Sequence, residues 1–201
     1  TGEGVFVRNG SVYERTLKGE SELFPWPKTV LKGRHNRSNI LAAIVTARVQ
    51  GVSPAAILKA LESFKGVPHR LELIGEKNGV LFCNDTAATM PEAAIAGIRS
   101  FEEPVILIAG GADKAFDYAE LAHVFASEPK TVILLQGTAT DKLLPLMEKE
   151  AALLGKSDAI FPVVTSMEDA LRVAIDEART GDVVLLSPGV ASFGLFQNEF
   201  D

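Results

Sequence analysis

Three continuous aliphatic runs constrain this 201-residue chain more than any other feature. Residues 105–109 (Val-Ile-Leu-Ile-Ala), 131–135 (Thr-Val-Ile-Leu-Leu) and 183–186 (Val-Val-Leu-Leu) lack the polar alternation of a half-exposed strand. A strand of this kind has to be covered on both faces, which is the condition met by parallel strands under crossover helices. Helical stretches lie between the runs. Tyr118, Leu121, Ala122 and Phe125 form a stripe behind Asp117; Ser166 and Asp169 open another helix carrying Ala170, Val173 and Ala174. A further helix is predicted over 141–154, and Phe161-Pro162-Val163-Val164 reads as a short strand. Alternating strands and helices joined by right-handed crossovers predict an α/β fold with a doubly wound, mostly parallel, Rossmann-like sheet.

The chain before these runs has a different texture. Residues 4–26 carry short apolar runs broken by Asn9-Gly10 and Lys18-Gly19, the pattern of a small antiparallel meander. Ile40, Leu41, Ile44, Val45 and Val49 give a helix over 36–49 stopped by Gly51. Ser53 and Pro54 then start a second, with Ile57, Leu58, Leu61 and Phe64 as its apolar stripe. Lys65-Gly66-Val67-Pro68 has linker composition, so two domains are expected, 1–66 and 67–201. With no starting methionine and no core of its own, the meander reads as the tail of a larger domain. Past the linker, residues 71–76 and 80–84 flank Lys77-Asn78-Gly79 as a hairpin.

Composition removes several function classes. The formal charge is −6 and the basic residues are scattered, which argues against a nucleic-acid partner. No run approaches the ~20 apolar residues of a membrane span, and the N-terminus lacks the layout of a signal peptide, so a cytoplasmic protein with no membrane partner is expected. The lone Cys83 excludes an internal disulfide and reads as a small buried hydrophobe; no metal-ligand set is found.

Chemistry is expected where apolar strands break into polar loops. The run Val80, Leu81, Phe82, Cys83 ends abruptly in Asn84-Asp85-Thr86-Ala87-Ala88-Thr89. Gly110-Gly111-Ala112-Asp113-Lys114 follows 105–109, and Ser187-Pro188-Gly189-Val190-Ala191-Ser192 follows 183–186. If the sheet is parallel, all three open on its carboxyl edge, where ligands of open α/β sheets collect. A lysine and several hydroxyls there suit a carboxylate or phosphate; equally, the loops read as ordinary turns with glycine for backbone freedom. Asp85 is fit either to cap its own loop or to accept sugar hydroxyls. His35 and His69 are open to a general-base, ligand or structural role, and His123 falls on a surface helix. Ser187 and Ser192 have no histidine at activating spacing, which sets aside a Ser-His-Asp hydrolase. No Walker A loop or Gly-x-Gly-x-x-Gly occurs.

Taken in order, five blocks resemble the Mur ligases, amide-forming enzymes of peptidoglycan synthesis. They are Gly33-Arg34-His35-Asn36 with Asn39, His69-Arg70-Leu71-Glu72, Asn84-Asp85-Thr86-Ala87-Ala88-Thr89, Gly110-Gly111-Ala112-Asp113-Lys114 and Leu185-Leu186-Ser187-Pro188-Gly189-Val190-Ala191-Ser192-Phe193. The resemblance covers essentially the whole chain, as the end of a central ATPase domain and most of a C-terminal amino-acid-binding domain. The 84–89 and 185–193 blocks are most similar to the D-glutamate-adding branch.

The resemblance implies a reaction and a set of roles. ATP, with Mg2+, phosphorylates the carboxylate of UDP-N-acetylmuramoyl-L-alanine, and the amine of D-glutamate attacks the acyl phosphate. Such chemistry needs positioning and charge neutralisation rather than a nucleophilic side chain. Asn36 and Asn39 match positions contacting adenine, Arg70 the arginine reaching the nucleotide phosphates, and Asp85 an aspartate near the ribose. Thr89, Lys114 and Ser192, with Phe193 beside them, match the positions holding D-glutamate; Lys114 and Arg70 are the expected catalytic pair. A monomer is expected, and without a P-loop this chain alone is expected to be inactive. Ala87 stands where the family usually has lysine, and Met90 replaces a common asparagine. A ligase with another acceptor, such as a folylpolyglutamate-type or different Mur enzyme, is the rival within the class. A non-catalytic α/β ligand-binding module is the rival outside it.

Overall fold

The computed structural model describes residues 2–191, which divide into two compact units meeting at Gly66 and Val67. In the first, β1 (Gly4–Arg8), β2 (Ser11–Thr16) and β3 (Gly19–Pro25) form an antiparallel meander in the order β1-β2-β3. Asn9 and Gly10 both take positive φ, 50° and 78°, which gives the tight turn whose twist matches the flanking strands. Two helices follow, α1 (Arg34–Val49) and α2 (Pro54–Ser63), the latter capped by Ser53, whose side chain accepts the Ala56 N–H. Helix α1 starts two residues before the predicted 36–49, directly after Gly33, which holds a positive φ of 90°. Contrary to expectation, the meander has a core. Val12 and Phe24 pack with Ile40, Ile44 and Ile57, and a bidentate Arg48–Glu14 pair ties α1 to β2.

The second unit is a six-stranded sheet in the order β4-β5-β9-β6-β7-β8. Its strands are β4 (Glu72–Lys77), β5 (Val80–Asn84), β6 (Val105–Gly110), β7 (Thr131–Leu135), β8 (Val163–Val164) and β9 (Val183–Leu186). Only the β4–β5 hairpin pairs antiparallel; every other pairing is parallel. Side chains alternate between faces. Leu107, Ala109, Val132, Leu134 and Leu185 pack under α3 (Pro91–Ile98), α4 (Ala119–Ser127) and α5 (Thr140–Leu153); Ile106, Ile108, Ile133, Leu135 and Val184 pack against α6 (Met167–Glu177). The aliphatic runs are continuous because both faces are covered. Strand β9 comes last yet pairs with β5 on one side and β6 on the other, so the loop after it falls in the middle of the carboxyl edge.

Candidate functional site at the carboxyl edge

Four loops converge beyond the carboxyl ends of β5, β9, β6 and β7, joined mostly by backbone. The Gly189 N–H donates to the Ala88 carbonyl at 2.8 Å, and the Gly110 N–H to the Pro188 carbonyl at 3.0 Å. Ala112 and Ala191 exchange hydrogen bonds as an isolated antiparallel bridge, and the Ala139 N–H donates to the Gly111 carbonyl. The loops carrying Thr89 and Lys114 are thus each bonded to the 187–191 loop. Thr89 is half-buried and Lys114 exposed. Gly111 makes this convergence possible, because a Cβ there would lie 2.3 Å from the Ala191 carbonyl oxygen.

Asp85 is buried and bonded within the protein. It is 4 % exposed, with one carboxylate oxygen accepting the Leu71 N–H at 3.0 Å and the other the hydroxyl of fully buried Ser187 at 2.9 Å. Through these bonds the carboxylate fixes the segment that bears Arg70. His69 and Leu71, on either side of Arg70, hold φ of 62° and 47°, sparsely populated for residues with a Cβ. Glu72 accepts the His69 N–H, the His69 carbonyl accepts the Ala87 N–H, and Asn84 bonds the His69 ring at 3.0 Å. Histidine 69 therefore serves the scaffold, and Arg70 is presented to solvent between two clamped neighbours. Ser187→Ala is expected to lower stability by about 1–3 kcal/mol, the cost of a buried carboxylate oxygen losing its donor. A urea midpoint equal to wild type would contradict that role.

The Lys114 loop is pinned through Asp113. Its carboxylate accepts the Tyr118 hydroxyl at 2.7 Å and the Ala115 N–H at 2.9 Å, and pairs with the Lys142 ammonium. Its own N–H donates to the Thr138 hydroxyl at 2.9 Å. The Lys142 ammonium, and after it the Tyr118 hydroxyl, hold the Asp113 carboxyl down at about 2. A carboxyl lowered on folding stabilises the protein above its unfolded value near 4, and that contribution is lost as pH falls toward 2. The gap in urea midpoint between wild type and Asp113→Asn should therefore shrink between pH 6 and pH 2; a constant gap would refute the linkage. Tyr118, Thr138 and Lys142 were not singled out from sequence as site residues. Gln136-Gly137-Thr138 after the 131–135 run is a fourth polar interruption, and it is the available signal.

The remaining expected residues scatter. Asn36 is 6 % exposed, its amide donating to the Lys32 carbonyl and its oxygen accepting from Asn39, so Asn36 shapes the start of α1 while Asn39 is exposed. Cys83 is buried as expected. His123 pairs with Glu150 at 2.9 Å on the surface. Ser192 and Phe193 lie outside the described residues. No group of three or more His, Cys, Asp or Glu able to hold a metal occurs among the described residues. No helix among them is long and apolar enough to cross a membrane.

Residues 69–190 match the family model described as Mur ligase, glutamate ligase domain, which spans Arg70, the 84–89 loop and Lys114. The chain belongs to the Mur ligase family. It is 49 % identical over 170 residues to a UDP-N-acetylmuramoylalanine--D-glutamate ligase of Roseiflexus sp. (strain RS-1), covering 85 % of this chain and 36 % of that protein. The protein of the same name from Salinibacter ruber is 40 % identical over 97 % of this chain and 41 % of its own length. This Mur ligase chain thus spans about two fifths of the length of these relatives. Among solved structures, the UDP-N-acetylmuramate-alanine ligase MurC of Thermotoga maritima superposes with a TM-score of 0.63 at 18 % identity, covering 90 % of this chain and 40 % of that one. A folylpolyglutamate synthetase mutant (FPGS) of L. casei gives 0.59 at 20 % identity over 92 % of this chain and 41 % of its own. These likenesses establish the fold.

Proposed function

We propose that the full-length protein is a cytoplasmic, monomeric, ATP-dependent ligase that joins D-glutamate to UDP-N-acetylmuramoyl-L-alanine through an acyl phosphate. The observation that carries this reading is the 40–49 % identity to D-glutamate ligases across blocks that converge on one sheet edge. On this reading residues 67–201 are the amino-acid-binding domain and 1–66 the end of the ATP-binding domain. Lys114 and Thr89 offer an ammonium and a hydroxyl to the glutamate carboxylates, with Ser192 and Phe193 completing that contact. Charge-assisted bonds of this kind supply both affinity and orientation. Arg70, fixed by its clamped neighbours, reaches the nucleotide phosphates, and Asn39, seated by Asn36, contacts adenine. Asp85 acts through Leu71 and Ser187 rather than on the nucleotide. Magnesium would accompany ATP, with no step here resting on this chain for its ligands.

The test is an assay of the full-length protein with ATP, UDP-N-acetylmuramoyl-L-alanine and a panel of amino acids, reading phosphate release and product mass. D-Glutamate should be the one acceptor that gives both. Turnover with another amino acid or with a folate acceptor would move the protein to a different ligase, and no amide product with any acceptor would leave a binding module.

A further inference from the structure

Lys142 has no part in the functional reading above, yet it meets the loop that carries Lys114. It lies in the first turn of α5 and its ammonium pairs with the second carboxylate oxygen of Asp113, the first being taken by Tyr118 and Ala115. The Lys142 side chain is 57 % exposed, so solvent screens its pair with Asp113 and the lysine's own contribution to stability is small. Its electrostatic consequence is larger. Within residues 110–118 Lys114 is the sole cation, and it directly follows Asp113 in sequence. Were Lys142 absent, the unpaired Asp113 oxygen would compete for the Lys114 ammonium and repel an incoming carboxylate.

We propose that Lys142 is a positioning residue for amino-acid binding: by neutralising Asp113 it leaves the Lys114 ammonium to the carboxylate of the amino-acid substrate. The inference rests on the ligase reading. The backbone supports it, because Asp113 is anchored on both sides, through Thr138 and through the Ala112–Ala191 bridge. Loss of Lys142 therefore changes the charge beside Lys114 more than it moves the loop.

The experiment uses the full-length enzyme. Lys142→Met should raise KM for D-glutamate about three- to fivefold, the range of a weak ion pair, with KM for ATP and kcat unchanged. Lys142→Arg should restore the wild-type value. Adding Asp113→Asn to Lys142→Met should bring KM back to within about twofold, because the asparagine oxygen still accepts from Tyr118 and Ala115 while no charge remains to capture Lys114. Lys142→Gln serves as a second neutral variant should the methionine variant fold poorly. An unchanged D-glutamate KM, a parallel rise in both KM values, or no relief from Asp113→Asn would overturn the proposal. Wild-type use of a different amino acid would overturn the D-glutamate reading alone, and the same comparison is then made with that amino acid. No turnover with any acceptor overturns both.

Discussion

Gly111→Ala is expected to lower the stability of the chain by about 3–5 kcal/mol. Two costs add. Gly111 holds φ of 142°, a conformation that residues with a Cβ rarely adopt, and the new Cβ would stand 2.3 Å from the Ala191 carbonyl oxygen. That oxygen is backbone, and it already accepts the Ala112 N–H at 2.9 Å, so no side-chain rotation relieves the contact. Relief requires moving the 187–191 loop away from the 110–114 loop, which breaks the bridge between them. Gly155→Ala is the control, with φ of 74° and no atom within 4 Å of the added methyl, so it should lose only the backbone term, about 1 kcal/mol. Urea unfolding of the two variants separates the terms. Equal losses would mean that the close approach is unimportant.

Lys114→Ala in the full-length enzyme should raise KM for D-glutamate about ten- to hundredfold, corresponding to about 1.5–3 kcal/mol for a lost charge-assisted contact. KM for ATP should change far less. The exposed ammonium sits on a loop held by the Asp113 bonds and the Ala112 bridge, so a carboxylate meets a cation whose backbone needs no reordering. Steady-state kinetics with each substrate varied in turn gives the answer. A raised ATP constant beside an unchanged D-glutamate constant would reverse the assignment.

The sheet could be read in the sequence because burial on both faces writes itself as unbroken aliphatic runs, as in Val183-Val184-Leu185-Leu186. Its strand order could not, since nothing in those four residues states that they pair with 81–84 and 105–108. The same limit governs the site. Lys114 and Thr89 lie in polar loops that interrupt apolar runs, and the family resemblance singled them out there. Asp85 read as fit either to cap its own loop or to accept sugar hydroxyls, and its bonds to Leu71 and Ser187, 14 and 102 residues away, have no local signature. Tyr118, Thr138 and Lys142 reach Asp113 from 5, 25 and 29 residues away, and each looks locally like an ordinary helix-start residue. Contacts assembled by topology leave no periodic trace.

The central position of β9 governs the order in which this unit can be completed. The β4–β5 hairpin and the β6–β7–β8 ribbon do not pair with each other; each is joined to the rest of the sheet only through β9. A ribosome delivers these two parts first, and they stay laterally unjoined until residues 183–186 emerge more than seventy positions after β6 begins. The pairing that closes the sheet is therefore a long-range one, of the kind that slows folding. The same strand carries in the 187–191 loop, so closing the sheet and building the carboxyl edge are one event. A chain interrupted before Val183 has neither, and although Asp113 already has its partners within residues 115–142, the 110–114 loop lacks its bridge to Ala191 while the sheet is still open.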